Sequence, residues 1–152
     1  MQPSPTATDG TTSTSTVVDS VLHTATSIGR LMRQRIAGDQ LEPATYWVLK
    51  NLAPGSSRIT DLAASTQLDT STVSRHVTQL ERSGLVERSQ DPADGRAQRI
   101  GLTEQGREQL TDSIRRRREA LESSLEAWEP ADLAELDRLL GRLVADLETR
   151  TS

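Results

Sequence analysis

Apolar residues recur at three- and four-residue intervals over both ends of this chain, and the period drops to two only in a short central stretch. Val17, Val18, Val21, Leu22, Ala25, Ile28, Leu31, Met32 and Ile36 trace one amphipathic helix. Trp47, Val48, Leu49 and Leu52 trace a second over 41–53, which Pro54-Gly55 stops. A third, short helix follows, with Thr60 as its expected N-cap, Asp61 in its first turn, Leu62, Ala63 and Ala64 as helix formers and Ile59 and Leu62 as apolar anchors. Gln67-Leu68-Asp69 predicts a tight turn, Asp69 the cap of a fourth helix, and Gly84 its stop. Alternation then begins: Leu85 to Ser89 reads as one strand and Arg99 to Leu102 as another, with Ile100 and Leu102 alternating against Arg99 and Gly101. Thr103 is placed to cap a long helix running to Trp128, with Leu110, Ile114, Leu121 and Leu125 as its apolar stripe. Pro130 suits the first turn of a last helix carrying Leu133, Leu136, Leu139, Leu140, Leu143, Val144 and Leu147.

A short helix, a turn, a second helix and a hairpin predict a winged helix-turn-helix. The expected fold class is therefore mainly α with a small β-hairpin wing (α+β), flanked by N- and C-terminal dimerisation helices. The expected organisation is a single domain over 17–152, with a winged lobe at 41–103 and dimerisation helices at 17–40 and 104–149. A leucine stripe as dense as that of the last helix calls for a partner, and a bundle with the first helix of a second copy supplies one. The first sixteen residues contain nine Ser or Thr and almost nothing apolar, so 1–16 reads as a disordered tail.

The helix after Asp69 has two faces. At about 100° per residue, Val73, Val77 and Leu80 gather on one side, with Ser71, Arg75, Thr78 and Arg82 roughly opposite and Thr72, Ser74 and Gln79 beside them. Hydroxyl, amide and guanidinium groups are the donors that reach phosphates and base edges. Glu81 is the one acid in the helix body, and His76 falls near the apolar centre as a boundary packing residue. In the hairpin, Asp91-Pro92-Ala93-Asp94-Gly95-Arg96 forms a turn-rich tip, and Arg96 and Arg99 bring positive charge to a projection narrow enough for a minor groove. A pair between Arg96 and Asp94 across the tip is the plainer alternative.

These residues resemble the MarR family of bacterial transcriptional regulators. The matching pieces are Ile59 to Ala64 (ITDLAA), Ser71 to Arg75 (STVSR), Leu80 to Arg88 (LERSGLVER) and the wing pattern Asp94-Gly95-Arg96 followed by five residues and Leu102-Thr103. The resemblance implies a homodimer on a pseudo-palindromic operator in double-stranded DNA. It also implies a small phenolic or other lipophilic effector that lowers DNA affinity from a crevice between the dimer helices and the DNA-binding lobe. Tyr46 and Trp47 are the aromatics that would border such a crevice, though such residues commonly belong to the core.

Charge complicates this reading. The chain carries a net −4, yet Arg58 to Arg99 is balanced: six arginines (58, 75, 82, 88, 96, 99) against six acids (61, 69, 81, 87, 91, 94). Placement therefore decides whether the module attracts DNA. The run Arg115 to Arg118, with Glu119 and Glu122 four residues after its ends, reads as a solvated, salt-paired helix face. The absence of cysteine excludes thiol chemistry and disulfides, and His23 and His76 sit in different elements with no H-E-x-x-H, so neither an enzyme nor a metal site is expected. No cofactor is expected. No apolar run predicts a signal peptide or membrane span, which points to the cytoplasm. The competing function is a winged helix used for protein contact without DNA; it would need an apolar face where Ser71, Arg75 and Gln79 stand. A repressor whose operator binding the effector relieves is the expected form, although residues alone do not separate repressor from activator, which depends on operator position.

Overall fold

Burial concentrates where the helical stripes meet the alternating strands. The structure, a computed structural model, describes residues 13–151. It runs α1 (Thr14–Arg33), α2 (Pro43–Leu52), β1 (Ser57–Arg58), α3 (Ile59–Thr66), α4 (Thr70–Arg82), β2 (Val86–Gln90), β3 (Gln98–Leu102), α5 (Glu104–Glu122), a 3-10 turn (Ser123–Leu125) and α6 (Pro130–Thr151). The buried apolar residues extend from Leu41 to Leu110 and include Val48, Leu49, Leu52, Leu62, Val73, Val77, Val86, Ile100 and Leu102. None comes from α1 or α6. The lobe core thus reaches past 103 into the first turns of α5, where Gly106 and Leu110 are buried.

The hairpin is antiparallel, with Val86 opposite Leu102 and Arg88 opposite Ile100. β1 pairs with the other edge of β3, Ser57 opposite Ile100, giving the order β1-β3-β2. The sequence reading missed β1, because two residues are too few to show alternation.

Several boundaries differ from the periodicity. Helix α1 begins at Thr14 rather than after residue 16, because Ser13 Oγ accepts from the Thr16 amide and caps it. The remainder of the expected tail, 1–12, lies outside the described residues. At the other end α1 stops at Arg33, so Ile36 belongs to the following loop. Helix α2 starts at Pro43, where proline's missing N–H costs nothing, and Leu41 packs from the preceding loop. Thr60 is inside α3, not its cap. The chain leaves β1 extended at Arg58 and turns directly into the helix, with no side-chain cap. Helix α5 ends at Glu122 instead of Trp128. Ser123 and Ser124 hydroxyls donate back to the Ala120 carbonyl, and Pro130 disfavours helical geometry at Glu129. Among the described residues no helix is long and apolar enough to cross a membrane.

The start of α5 is packed directly on the lobe. Thr103 Oγ1 accepts from the Gly106 amide at 3.0 Å and donates to the Gly84 carbonyl at 2.6 Å. A Cβ at Gly106 would lie 2.0 Å from the Leu85 carbonyl oxygen. Gly106→Ala should therefore destabilise the protein by about 1–3 kcal/mol through overpacking against backbone. Chemical denaturation measures it, and a midpoint equal to wild type would show that the α5–Leu85 approach is looser than described.

Candidate nucleic-acid interface

Helix α4 is anchored by Val73 and Val77, both 0 % exposed, and by Leu80. Its opposite face holds Ser71, Arg75, Gln79 and Arg82 exposed, with Thr72, Ser74 and Thr78 half-buried beside them. Ser74, Arg75, Thr78, Gln79 and Arg82 together line a shallow open depression. Within the described residues the side chains of Arg75, Gln79 and Arg82 make no hydrogen bond or ion pair, so their donors point to solvent.

The first turn differs. Asp69 accepts from the Thr72 amide at 2.8 Å, from Thr72 Oγ1 at 2.6 Å and from Ser71 Oγ. The Ser71 and Thr72 hydroxyls, with the Thr72 amide, hold the Asp69 carboxyl well below the usual carboxylate range. Those two hydroxyl protons are therefore committed to the cap, and that of Thr78 is committed within the helix, where it donates to the Ser74 carbonyl at 2.9 Å. His76 is half-buried at the edge of the apolar face.

Glu81 would repel a phosphate backbone if left bare. Arg88 of β2 neutralises it with an Nε–Oε2 distance of 3.0 Å, and its other nitrogens reach Gln98 at 3.4 Å and Thr78 at 3.5 Å. Arg88 thereby ties the wing to α4. Its role was not singled out from sequence, because the contact joins residues seven apart across a helix end.

At the wing, Arg96 is exposed at the tip and its guanidinium makes no pair among the described residues. The alternative pairing with Asp94 is not formed through side chains: Asp94 Oδ1 accepts the Arg96 backbone N–H at 3.1 Å, an Asx-type turn that leaves the guanidinium outside. Arg99 behaves otherwise. It donates through Nε to Ser56 Oγ at 2.9 Å, through Nη2 to the Ser56 carbonyl, and stands 3.5 Å from Asp91. It is occupied at the base of the wing and is not grouped with the free cations. Asp91, nearly buried, also accepts from Arg58 Nε at 2.6 Å and from the Ala93 amide at 2.8 Å. The Arg58 guanidinium, followed by that amide, draws its carboxyl down to about 2. Asp91 therefore stays ionised through the physiological range and locks the wing to β1.

The two aromatic candidates separate. Tyr46 is buried with the Arg117 guanidinium 3.8 Å over its ring, so no face is left for a ligand. Trp47 is half-buried, edge-on to Tyr46 at 5.4 Å, and lines a groove with Arg33, Ala44, Asn51 and Leu68. The arginine run also divides. Arg115 pairs with Asp112 and Glu119, Arg116 with Asp112, and Arg118 with Glu122 on the surface. Arg117 contradicts the solvated reading. It lies on the buried stripe Gly106, Leu110, Ser113 and Arg117, while Ile114, on the expected apolar stripe of this dimerisation helix, is 42 % exposed. The signal was present as the seven-residue step from Leu110 to Arg117.

Comparisons with known proteins agree with this geometry. The MarR family model matches residues 53–97, the stretch from the end of α2 to the wing tip. The HTH-type transcriptional regulator YxaD of Bacillus subtilis is 35% identical over 104 residues, covering 68% of this chain and 73% of YxaD. The HTH-type transcriptional repressor IacR of Pseudomonas putida is 27% identical over 103 residues, covering 68% and 60%. Among solved structures, the transcriptional regulator Tm0710 of Thermotoga maritima superposes with a TM-score of 0.76 at 23% identity, covering 90% of this chain and 96% of that one. The family is one of transcriptional regulators, not enzymes. With a helix-turn-helix whose outward face carries unpaired arginines, a wing locked at its base, and a relative this similar over most of its length, the chain belongs to the MarR family of transcriptional regulators.

Proposed function

We propose that the protein is a cytoplasmic homodimeric repressor that binds a pseudo-palindromic operator in double-stranded DNA. The carrying observation is charge placement. A neutral module keeps Arg75, Arg82 and Arg96 unpaired and outward, while Glu81, Asp91 and Asp69 are each neutralised or capped from within. Helix α4 enters the major groove, where Arg75 and Gln79 read base edges and Arg82 and the half-buried Ser74 and Thr78 line the approach. Ser71 and Thr72 act through the cap that orients the helix N-terminus. Arg96 enters the adjacent minor groove, and Arg99 supports the wing from its base. Dimerisation through α1 and α6 sets two recognition helices about one helical turn apart, near 10 base pairs. The name of IacR supports repression. Effector relief would use the Trp47 groove, whose aromatic wall and Arg33 rim suit a lipophilic acid.

The wing assignment is tested by Arg96→Ala. A minor-groove arginine contributes mostly charge, so operator and non-operator binding should weaken by similar factors. The slope of log affinity against log salt should fall by about two in a dimer, one per wing. Affinity across a salt series measures both. An unchanged slope, or a loss confined to the identity of one base pair, would remove Arg96 from the minor groove.

A further inference from the structure

Arg117 of α5 is 1 % exposed, and three other segments converge on it. Its Nη1 pairs with Asp39 in the loop between α1 and α2, and hydrogen-bonds Ser113 one turn back on α5. Its Nε donates to the Met32 carbonyl in the last turn of α1 at 3.4 Å. Its guanidinium carbon lies 3.8 Å over the centre of the Tyr46 ring of α2. Ser113 Oγ donates to Asp39 Oδ2 at 2.7 Å, and the Leu41 amide donates to Oδ1 at 2.9 Å. Burial by itself would raise the Asp39 carboxyl, but the bonds from Ser113, the Leu41 amide and Arg117 outweigh it and hold it below its ordinary value. The loop turns beside this pair through Gly38, whose φ of +76° is left-handed backbone that favours glycine.

A buried ion pair is a poor way to gain stability, since well-packed apolar residues of similar volume commonly do as well or better. Arg117 Nη2 is buried without a hydrogen-bond partner among the described residues, which adds a cost. What the pair does supply is direction. Helix α1 has no buried residue of its own, so its course away from the lobe is set at its last turn, where Arg117 holds Met32.

We propose that Arg117 and Asp39 form the joint that fixes the angle at which α1 leaves each DNA-binding lobe, and so determine the half-site spacing the protein accepts. The pair is a positioning device that touches no DNA. This inference rests on the dimeric, operator-binding reading above. Each lobe carries its own recognition helix, so a few degrees at the joint become several ångströms between the two helices.

The test uses the full chain and a palindromic duplex recovered by selection from random sequences, re-synthesised with the half-sites one base pair closer and one further apart. Asp39→Asn with Arg117→Met removes both charges while keeping an acceptor for the Leu41 amide and a stem against Tyr46. This double variant should remain a dimer and bind a single half-site as wild type does. Its preference for the selected spacing should fall by roughly three- to tenfold. Arg117→Lys, which keeps the charge but not the guanidinium fork over Tyr46, should lose part of that preference, and it decides alone if the double variant does not fold. A folded variant with the wild-type spacing profile overturns the joint. Wild type that binds as a monomer, or is indifferent to spacing, overturns the operator reading instead.

Discussion

Removing residues 130–152 should leave a monomer that no longer binds operator. On α6, Leu139, Leu140 and Val144 are each about half exposed, and on α1 so are Val17, Val18 and Leu22. Each such side chain has roughly 1 kcal/mol left to gain from burial. Truncation withdraws the α6 share from both partners at once. The lobe itself should stay folded, because no residue of α6 belongs to the core between Leu41 and Leu110. Loss of dimer therefore separates from loss of fold: sedimentation should show a monomer while circular dichroism retains a cooperative transition. A truncated chain that sediments as a dimer would place the interface elsewhere. Operator affinity should fall with dimerisation, since one lobe alone makes half the contacts.

Arg75→Ala should weaken operator binding by about 1–3 kcal/mol and relax the preference at one base position in each half-site. The size of the effect follows from the setting. Arg75 stands on a helix whose inner face is wholly buried at Val73 and Val77, so the guanidinium is carried on a rigid support. Among the described residues it has no pair to break before it contacts a base edge. Gln79→Ala, one turn along, should relax a neighbouring position. Competition binding against operators mutated one base pair at a time distinguishes this from a phosphate contact, which would weaken every sequence alike. If both variants bind with wild-type affinity and selectivity, α4 does not read bases through this face.

The lobe and its reading helix were legible in the sequence because their determinants are local. Val73, Val77 and Leu80 recur at helical spacing, Asp69 caps the turn before them, and Ile100 and Leu102 alternate along β3. Each depends on neighbours within one or two turns, and the structure keeps all of them. The outward set Arg75, Gln79 and Arg82 follows from the same geometry, since burying one face of a helix leaves the other exposed. Among the wing arginines, sequence alone could not tell Arg96 from Arg99. Arg99 is held by Ser56 only because β1 pairs with β3, a contact between residues 43 apart, while the hairpin itself brings Asp91 to it.

Arg117 shows the limit most clearly. It was grouped with three neighbours by residue type, but helix phase turns it alone inward, onto Asp39 seventy-eight residues away. Periodicity and capping act within a few residues, so the order of the helices, the apolar face of α4 and the site of the wing are written locally in the chain. Which charges remain free for DNA is set by the fold, because a charged side chain is neutralised by whichever partner tertiary packing brings within hydrogen-bonding distance.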